Sequence, residues 1–163
     1  MTQLELMCDV LTRNLQMFSM TVADLSDADF LARPVAGANH ATWQIGHLIN
    51  AETMFGNTVK PGSMPELPAG FGDKFKKDTA TNDDPGFFPP RAVIMDQLNK
   101  THTALIAAVK TMTQADLDKA GPERMAAMAP TMGHLVMLNS SHLMMHMGQL
   151  QVLRRKLGKP VLF

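Results

Sequence analysis

Leu135-Val-Met-Leu-Asn139-Ser-Ser-His142-Leu-Met-Met-His146-Met-Gly-Gln149-Leu-Gln-Val-Leu153 reads as a helix whose inward seam has turned polar. Leu135, Asn139, His142, His146, Gln149 and Leu153 follow alternating steps of four and three, the repeat that keeps one helix face against its neighbours in a bundle. Val136, Leu143, Leu150 and Leu157 flank that seam. Asn139, His142, His146 and Gln149 therefore stand where apolar side chains would cost least, and buried polar groups need partners. The helix is expected from near Pro130 to Lys156 or Leu157, with Gly158 as its C-terminal signal and Pro160 beyond.

Three more segments carry helical periodicity. The first spans about Thr2 to Leu25, with Met7, Val10, Leu11, Met17, Phe18 and Val22 on one broad face. A cap-like Ser26-Asp-Ala-Asp29 opens a short turn ending near Pro34. The second helix is expected from Ala41 or Thr42 to about Lys60. It puts Trp43, His47, Asn50 and Met54 on one stripe, before Pro61-Gly62 stops it. The third is expected from about Pro90 to Met112 on the stripe Ile94, Leu98, Leu105 and Val109. Thr113-Gln-Ala-Asp116 looks like a short capped helix, and Gly121-Pro122 breaks the chain again. Residues 61–90 hold six prolines and four glycines, so this is a long connection. Its Phe71, Phe75, Phe87 and Phe88 predict that it packs back onto the body, where it can cover one end of a pocket. β-Branched residues are few and alternation is absent. The expected fold is all-α, one domain over residues 1–163, a four-helix bundle with long crossover loops.

Composition narrows the partners. Fifteen basic and fifteen acidic side chains cancel, which leaves no electrostatic footprint for nucleic acid or an anionic membrane. The densest basic spots, Lys74, Lys76 and Lys77, and Arg154, Arg155 and Lys156, read as solvated faces. No uncharged apolar run approaches the ~18 residues of a membrane span. The N-terminus lacks the basic start of a signal peptide, so a cytoplasmic location is expected. The single cysteine, Cys8, excludes an internal disulfide framework and reads as a buried, inert thiol. The fifteen methionines are spread through every helix and read as core filler.

The chemistry lies in the histidines. His142 and His146 are four residues apart on a helix, hence about 40° apart around its axis and about 6 Å along it, so both imidazoles can reach one ion. His47, on a similar face of the second helix, can complete a set of three nitrogen ligands. Neutral imidazoles suit zinc, nickel, iron or copper, and three protein ligands with open positions is the catalytic rather than the structural pattern. Asn139 and Gln149 on the same seam, and Asn50 and Trp43 beside His47, are expected to line the pocket or orient the ligand rings. His40 lies about 10 Å from His47 if helical, and His134 about 12 Å along the axis from His142, so neither is a good co-ligand. His102 reads as a core-edge histidine with a backbone or water partner. A zincin-type protease is excluded, because the residue after His142 is Leu143 where that motif needs a glutamate base.

Trp43-Gln-Ile-Gly-His47-Leu, then His142-Leu-Met-Met-His146-Met-Gly148-Gln149, then Leu153-Arg-Arg-Lys-Leu-Gly158-Lys-Pro160 resemble the DinB/YfiT superfamily over nearly the whole chain. The resemblance implies a four-helix bundle in which His47, His142 and His146 bind one divalent metal: nickel, zinc or iron. It also implies homodimers, and for some relatives transfer or isomerisation reactions with a low-molecular-weight thiol such as bacillithiol or mycothiol. The expected function is thus a metal-dependent enzyme, a thiol-cofactor-dependent transferase or a hydrolase, acting on a small molecule. The alternative is a non-catalytic, metal-binding dimeric bundle associated with stress or damage response. Low charge content, 18%, and zero net charge fit a homodimer as well.

Overall fold

The computed structural model describes all of residues 1–163. Four long helices form the bundle: α1 (Gln3–Val22), α3 (Ala41–Val59), α4 (Arg91–Val109) and α6 (Met132–Lys156). Two short helices, α2 (Asp27–Leu31) and α5 (Gln114–Leu117), lie in the connections. α1 packs between α4 and α6, and α3 packs between the same two helices, so the four axes stand at the corners of a square. There are no strands; Ala120 and Thr131 form one isolated bridge.

Local chemistry sets the helix ends. Thr2, Ser26 and Thr113 each accept a hydrogen bond from the backbone three residues on, and Glu5, Asp29 and Asp116 answer back to the cap N–H. α1 ends at Val22, three residues earlier than its periodicity suggests, because the Ser26 capping box restarts the chain as α2. α6 starts on Thr131, whose hydroxyl accepts from the His134 amide; His134 thus belongs to a helix start. At the other end, Gly158 takes φ +67°. Its N–H and that of Lys159 bond back to Arg155 and Arg154 carbonyls, a Schellman turn that favours glycine at this position.

The main core joins Phe18 and Val22 of α1, Ile45, Leu48 and Ile49 of α3, Ile94 and Leu98 of α4, and Leu143, Leu150 and Leu153 of α6. Each such side chain contributes about 1.5–3 kcal/mol on full burial. A second cluster gathers Cys8, Leu11, Leu105, Val109, Met112, Leu117 and Val136 around the other end, with Cys8 a buried free thiol. Val10, expected on the inward face of α1, is 37% exposed, while Asn14 and Thr21 are buried there. Arg154 also departs from its expected place on a solvated face. It is 1% exposed, donates to the Thr21 and Pro160 carbonyls and pairs with Asp24, which ties α6 to the end of α1.

The proline-rich connection packs back on the body. Phe71, Phe75 and Phe88 are buried in the main core. The Phe75 ring occupies the space where a Cβ on Gly46 would stand, within 2.2 Å of that position, so glycine next to His47 is what lets the loop approach. Asn50 Nδ2 donates to the Gly72 carbonyl at 3.1 Å and pins the loop to α3. Arg33 donates to the carbonyls of Ala80 and Asn82 and pairs with Asp83, which fixes the far end.

Candidate metal centre

α3 and α6 face each other, and each brings an apolar stripe interrupted by histidine. His47 Nε2 lies 3.2 Å from His142 Nε2, and His146 Nε2 lies 3.2 Å from the same atom. One ligand atom from each of the three residues lies within 4.8 Å of the other two. Three Nε2 atoms thus point at a common centre. His146 is buried, and His47 and His142 are half-buried, so the centre is closed on the core side and open on the other.

The His146 tautomer follows from its partner. His146 Nδ1 is 3.0 Å from Gln44 Oε1, an oxygen that only accepts, so Nδ1 carries the hydrogen and the Nε2 lone pair faces the centre. Gln44 is fixed in turn by its own amide, which donates to the Asn39 carbonyl at 2.7 Å. Trp43 stacks flat on the His47 ring, centroids 5.1 Å apart and planes 6° apart. Its indole N–H donates to Thr79 Oγ1 at 3.1 Å and to the Lys76 carbonyl at 3.3 Å. The connection therefore holds the indole, and the indole holds the ring.

Proton affinities at the centre are low. Burial lowers the His146 pKa to about 3, helped by His142 and His47, and lowers that of His142 to about 4, helped by His47. His47 moves in the same direction through burial and the charge of Lys77. No carboxylate is among the groups acting on these rings. Three imidazoles of low proton affinity with converged Nε2 atoms, and no acid beside them, fit a borderline transition metal rather than calcium or magnesium, which favour oxygen ligands.

The other residues expected at the site divide. Trp43 touches the His47 ring, and Asn50 serves the loop. Asn139 is 2% exposed on the seam below His142, but neither amide atom has a partner. Its neighbours in a small interior space are apolar, Leu11, Phe55, Leu105 and Leu135 among them. Gln149 is exposed and lines a surface groove with Pro34, Val35 and Val152. The glutamine that holds a triad ring, that of His146, is Gln44. Its place three residues before His47, the i, i+3 neighbour on the same face, was the available signal.

Two histidines have other work. His40 caps α3: its Nδ1 accepts from the Trp43 amide at 3.1 Å, and its Nε2 donates to the Asn82 carbonyl at 3.2 Å. His102 is fully buried, not at the core edge, and its partners are Glu52 Oε1 at 2.7 Å and the Leu11 carbonyl at 3.0 Å.

Comparison with known proteins agrees with this architecture. The family model of the DinB superfamily matches residues 11–150, and the chain belongs to that superfamily. No curated protein matches the sequence. Among solved structures, a conserved protein from Enterococcus faecalis is similar with a TM-score of 0.72 at 14% identity, covering 98% of this chain and 99% of that one. YfiT from Bacillus subtilis, described as a probable metal-dependent hydrolase with an unusual four-helix bundle topology, is similar with a TM-score of 0.65 at 16% identity. That match covers 98% of this chain and 91% of YfiT. No helix is long and apolar enough to cross a membrane.

Proposed function

We propose that this chain is a metal-dependent enzyme in which His47, His142 and His146 hold one divalent cation, nickel, zinc or iron, and leave its solvent side open to a small-molecule substrate. The observation that carries the reading is the convergence of three Nε2 atoms with the His146 lone pair aimed inward by Gln44. The description of YfiT as a probable metal-dependent hydrolase supports it. A cation held there supplies Lewis acidity and lowers the pKa of a bound water or thiol. The chain's own residues do the rest. Gln44 fixes the His146 tautomer, Trp43 sets the plane of His47, and the Phe71–Phe88 connection shields that side from bulk water. The reaction classes that need this equipment are hydrolysis and transfer to a low-molecular-weight thiol.

A second reading, a non-catalytic metal-binding bundle, draws on the missing acid–base group: no carboxylate bonds to any of the three rings. One experiment separates the two. Untagged protein is assayed for bound metal, then for turnover of thiol conjugates of electrophiles and of simple esters and amides, before and after chelation. The enzyme reading expects one cation per chain and turnover that needs it. Metal without turnover supports the second reading, and protein that never binds metal overturns both.

We also infer a homodimer. Leu6 and Val10 on α1, and Met137 and Met145 on α6, are exposed on adjacent helices, an apolar face suited to a C₂ pairing. Sedimentation at micromolar concentration should give twice 17.9 kDa; a species at 17.9 kDa refutes the pairing.

A further inference from the structure

The charge balance at the three-histidine centre is one-sided. Neutral imidazoles leave a divalent cation with its whole charge, and no carboxylate side chain stands among the ligands to reduce it. The connection that packs beside His47 carries three lysines, Lys74, Lys76 and Lys77, and their positions differ. Lys74 donates to the Phe87 carbonyl at 2.5 Å and lies over the Phe87 ring. Lys76 pairs with Asp73. Lys77 is exposed and has no ion pair. Yet it sits in a hydrogen-bonded turn of the connection, between Lys76 and Thr79. Both of those residues bond to the Trp43 indole that stacks on His47. Phe75, two residues earlier, is locked against Gly46, the neighbour of His47. The backbone is thus fixed beside the metal ligand while the ammonium stays uncommitted.

We propose that the open face of this site takes anionic ligands, molecules that offer the metal a heteroatom and carry a carboxylate as well, and that Lys77 selects them by pairing with the carboxylate. The inference rests on the metal-site reading above and narrows its substrate class. An anionic substrate is attracted by the 2+ centre and by the Lys77 ammonium together, a complementarity that a neutral substrate lacks. Lys77 is in this view a specificity-determining residue and takes no part in bond making.

The test uses the full chain loaded with cobalt(II), whose visible spectrum reports ligands entering the open positions. Two probes are titrated, 3-mercaptopropionate and 2-mercaptoethanol, thiols that differ in a carboxylate. The wild-type protein should bind the carboxylate thiol more tightly. In Lys77→Gln that preference should shrink by roughly 3- to 5-fold, the scale of one partly exposed ion pair, and Lys77→Arg should restore it. Lys77→Glu should lower it further, and about 0.5 M salt should weaken it in the wild type only. An equal preference in wild type and Lys77→Gln means the carboxylate binds elsewhere and overturns the proposal while the metal site stands. Protein that takes up no cobalt overturns the metal reading and this proposal together. The side chain is exposed, so the variants should fold, and circular dichroism checks that they do.

Discussion

His146 and His102 are both buried imidazoles on long helices of one bundle, 4% and 0% exposed, and their surroundings drive their protons in opposite directions. His146 meets an amide oxygen on one side and two more imidazoles on the other, so burial lowers its pKa to about 3. His102 meets Glu52. Burial alone would lower its pKa as well, but the hydrogen bond and the charge of Glu52 outweigh burial and raise it. Its Nε2 must donate, because the Leu11 carbonyl only accepts, so the second proton of the pair lies between Nδ1 and Oε1. One cluster lacks a carboxylate, opens to solvent and is ready for a cation. The other has its carboxylate, is closed, and fastens α1, α3 and α4 together. A single acid next to a histidine thus separates a binding site from a structural clamp.

The largest expected effect breaks the first half of that contrast. His142→Ala combined with His146→Ala should remove metal entirely, measured by elemental analysis, with little change in helix content. A double variant with full metal content would place the site elsewhere.

The clamp comes next. Glu52→Leu strands a buried His102 and should cost about 3–5 kcal/mol in urea unfolding, while Glu52→Leu with His102→Leu should recover most of it. If the single and double variants are equally unstable, the pair contributes shape rather than charge. pH sharpens the same comparison. The rings of the metal-free triad have depressed pKa values, so their contribution is full above the unfolded histidine value of about 6.5. It is lost as pH falls toward about 4 for His142 and about 3 for His146. His102 has the opposite sign: its contribution is present below about 6.5 and is lost as pH rises through its raised value. Melting of metal-free protein should therefore drop between pH 6.5 and 4, and the double alanine variant should flatten that slope. An identical slope in the variant would assign the acid sensitivity to other groups.

What could be read from the sequence follows the physics of each signal. The bundle was legible because helix periodicity and caps are local: Trp43 to Phe55 and Leu135 to Leu153 carry their faces in their spacing. The His142–His146 pair was legible for the same reason, one turn apart, and His47 joined it through its similar face and the family resemblance. The other contacts that cross between helices were not legible. Glu52 and His102 are fifty residues apart, and a glutamate in a helix normally reads as a solvated residue. Gln149 looked inward by heptad arithmetic, but the buried face of α6 leans toward Leu143, Met147, Leu150 and Arg154, and Gln149 lies at its opposite, exposed edge. Arg154 in a run of three basic residues gave no hint of its Asp24 partner.

Gln44 and Gln149 make a finer pair of tests. Gln44→Leu should weaken metal affinity by about 10- to 100-fold, because the His146 tautomer and ring plane lose their anchor. Gln149→Leu should leave affinity unchanged, since that side chain faces solvent. Competition with a coloured chelator reads both. Equal losses in the two variants would mean that α6 as a whole, rather than one hydrogen bond, sets the ligand geometry.

The smallest effect concerns Asn139, whose amide is buried with no partner for either atom. An unsatisfied buried polar group costs about 1–3 kcal/mol, and its neighbours here are apolar. Asn139→Leu, the same branched shape with methyls for the amide atoms, should raise the stability of metal-free protein by about 1 kcal/mol, read as a higher urea midpoint with an unchanged slope. Metal affinity should not move, because Asn139 bonds to none of the three histidines. Two other results are informative. A fall in metal affinity would return Asn139 to the site as a support for His142, one turn above it. A fall in stability would show that a water molecule satisfies the amide, which would give the bundle a wet interior below His142 among otherwise apolar neighbours.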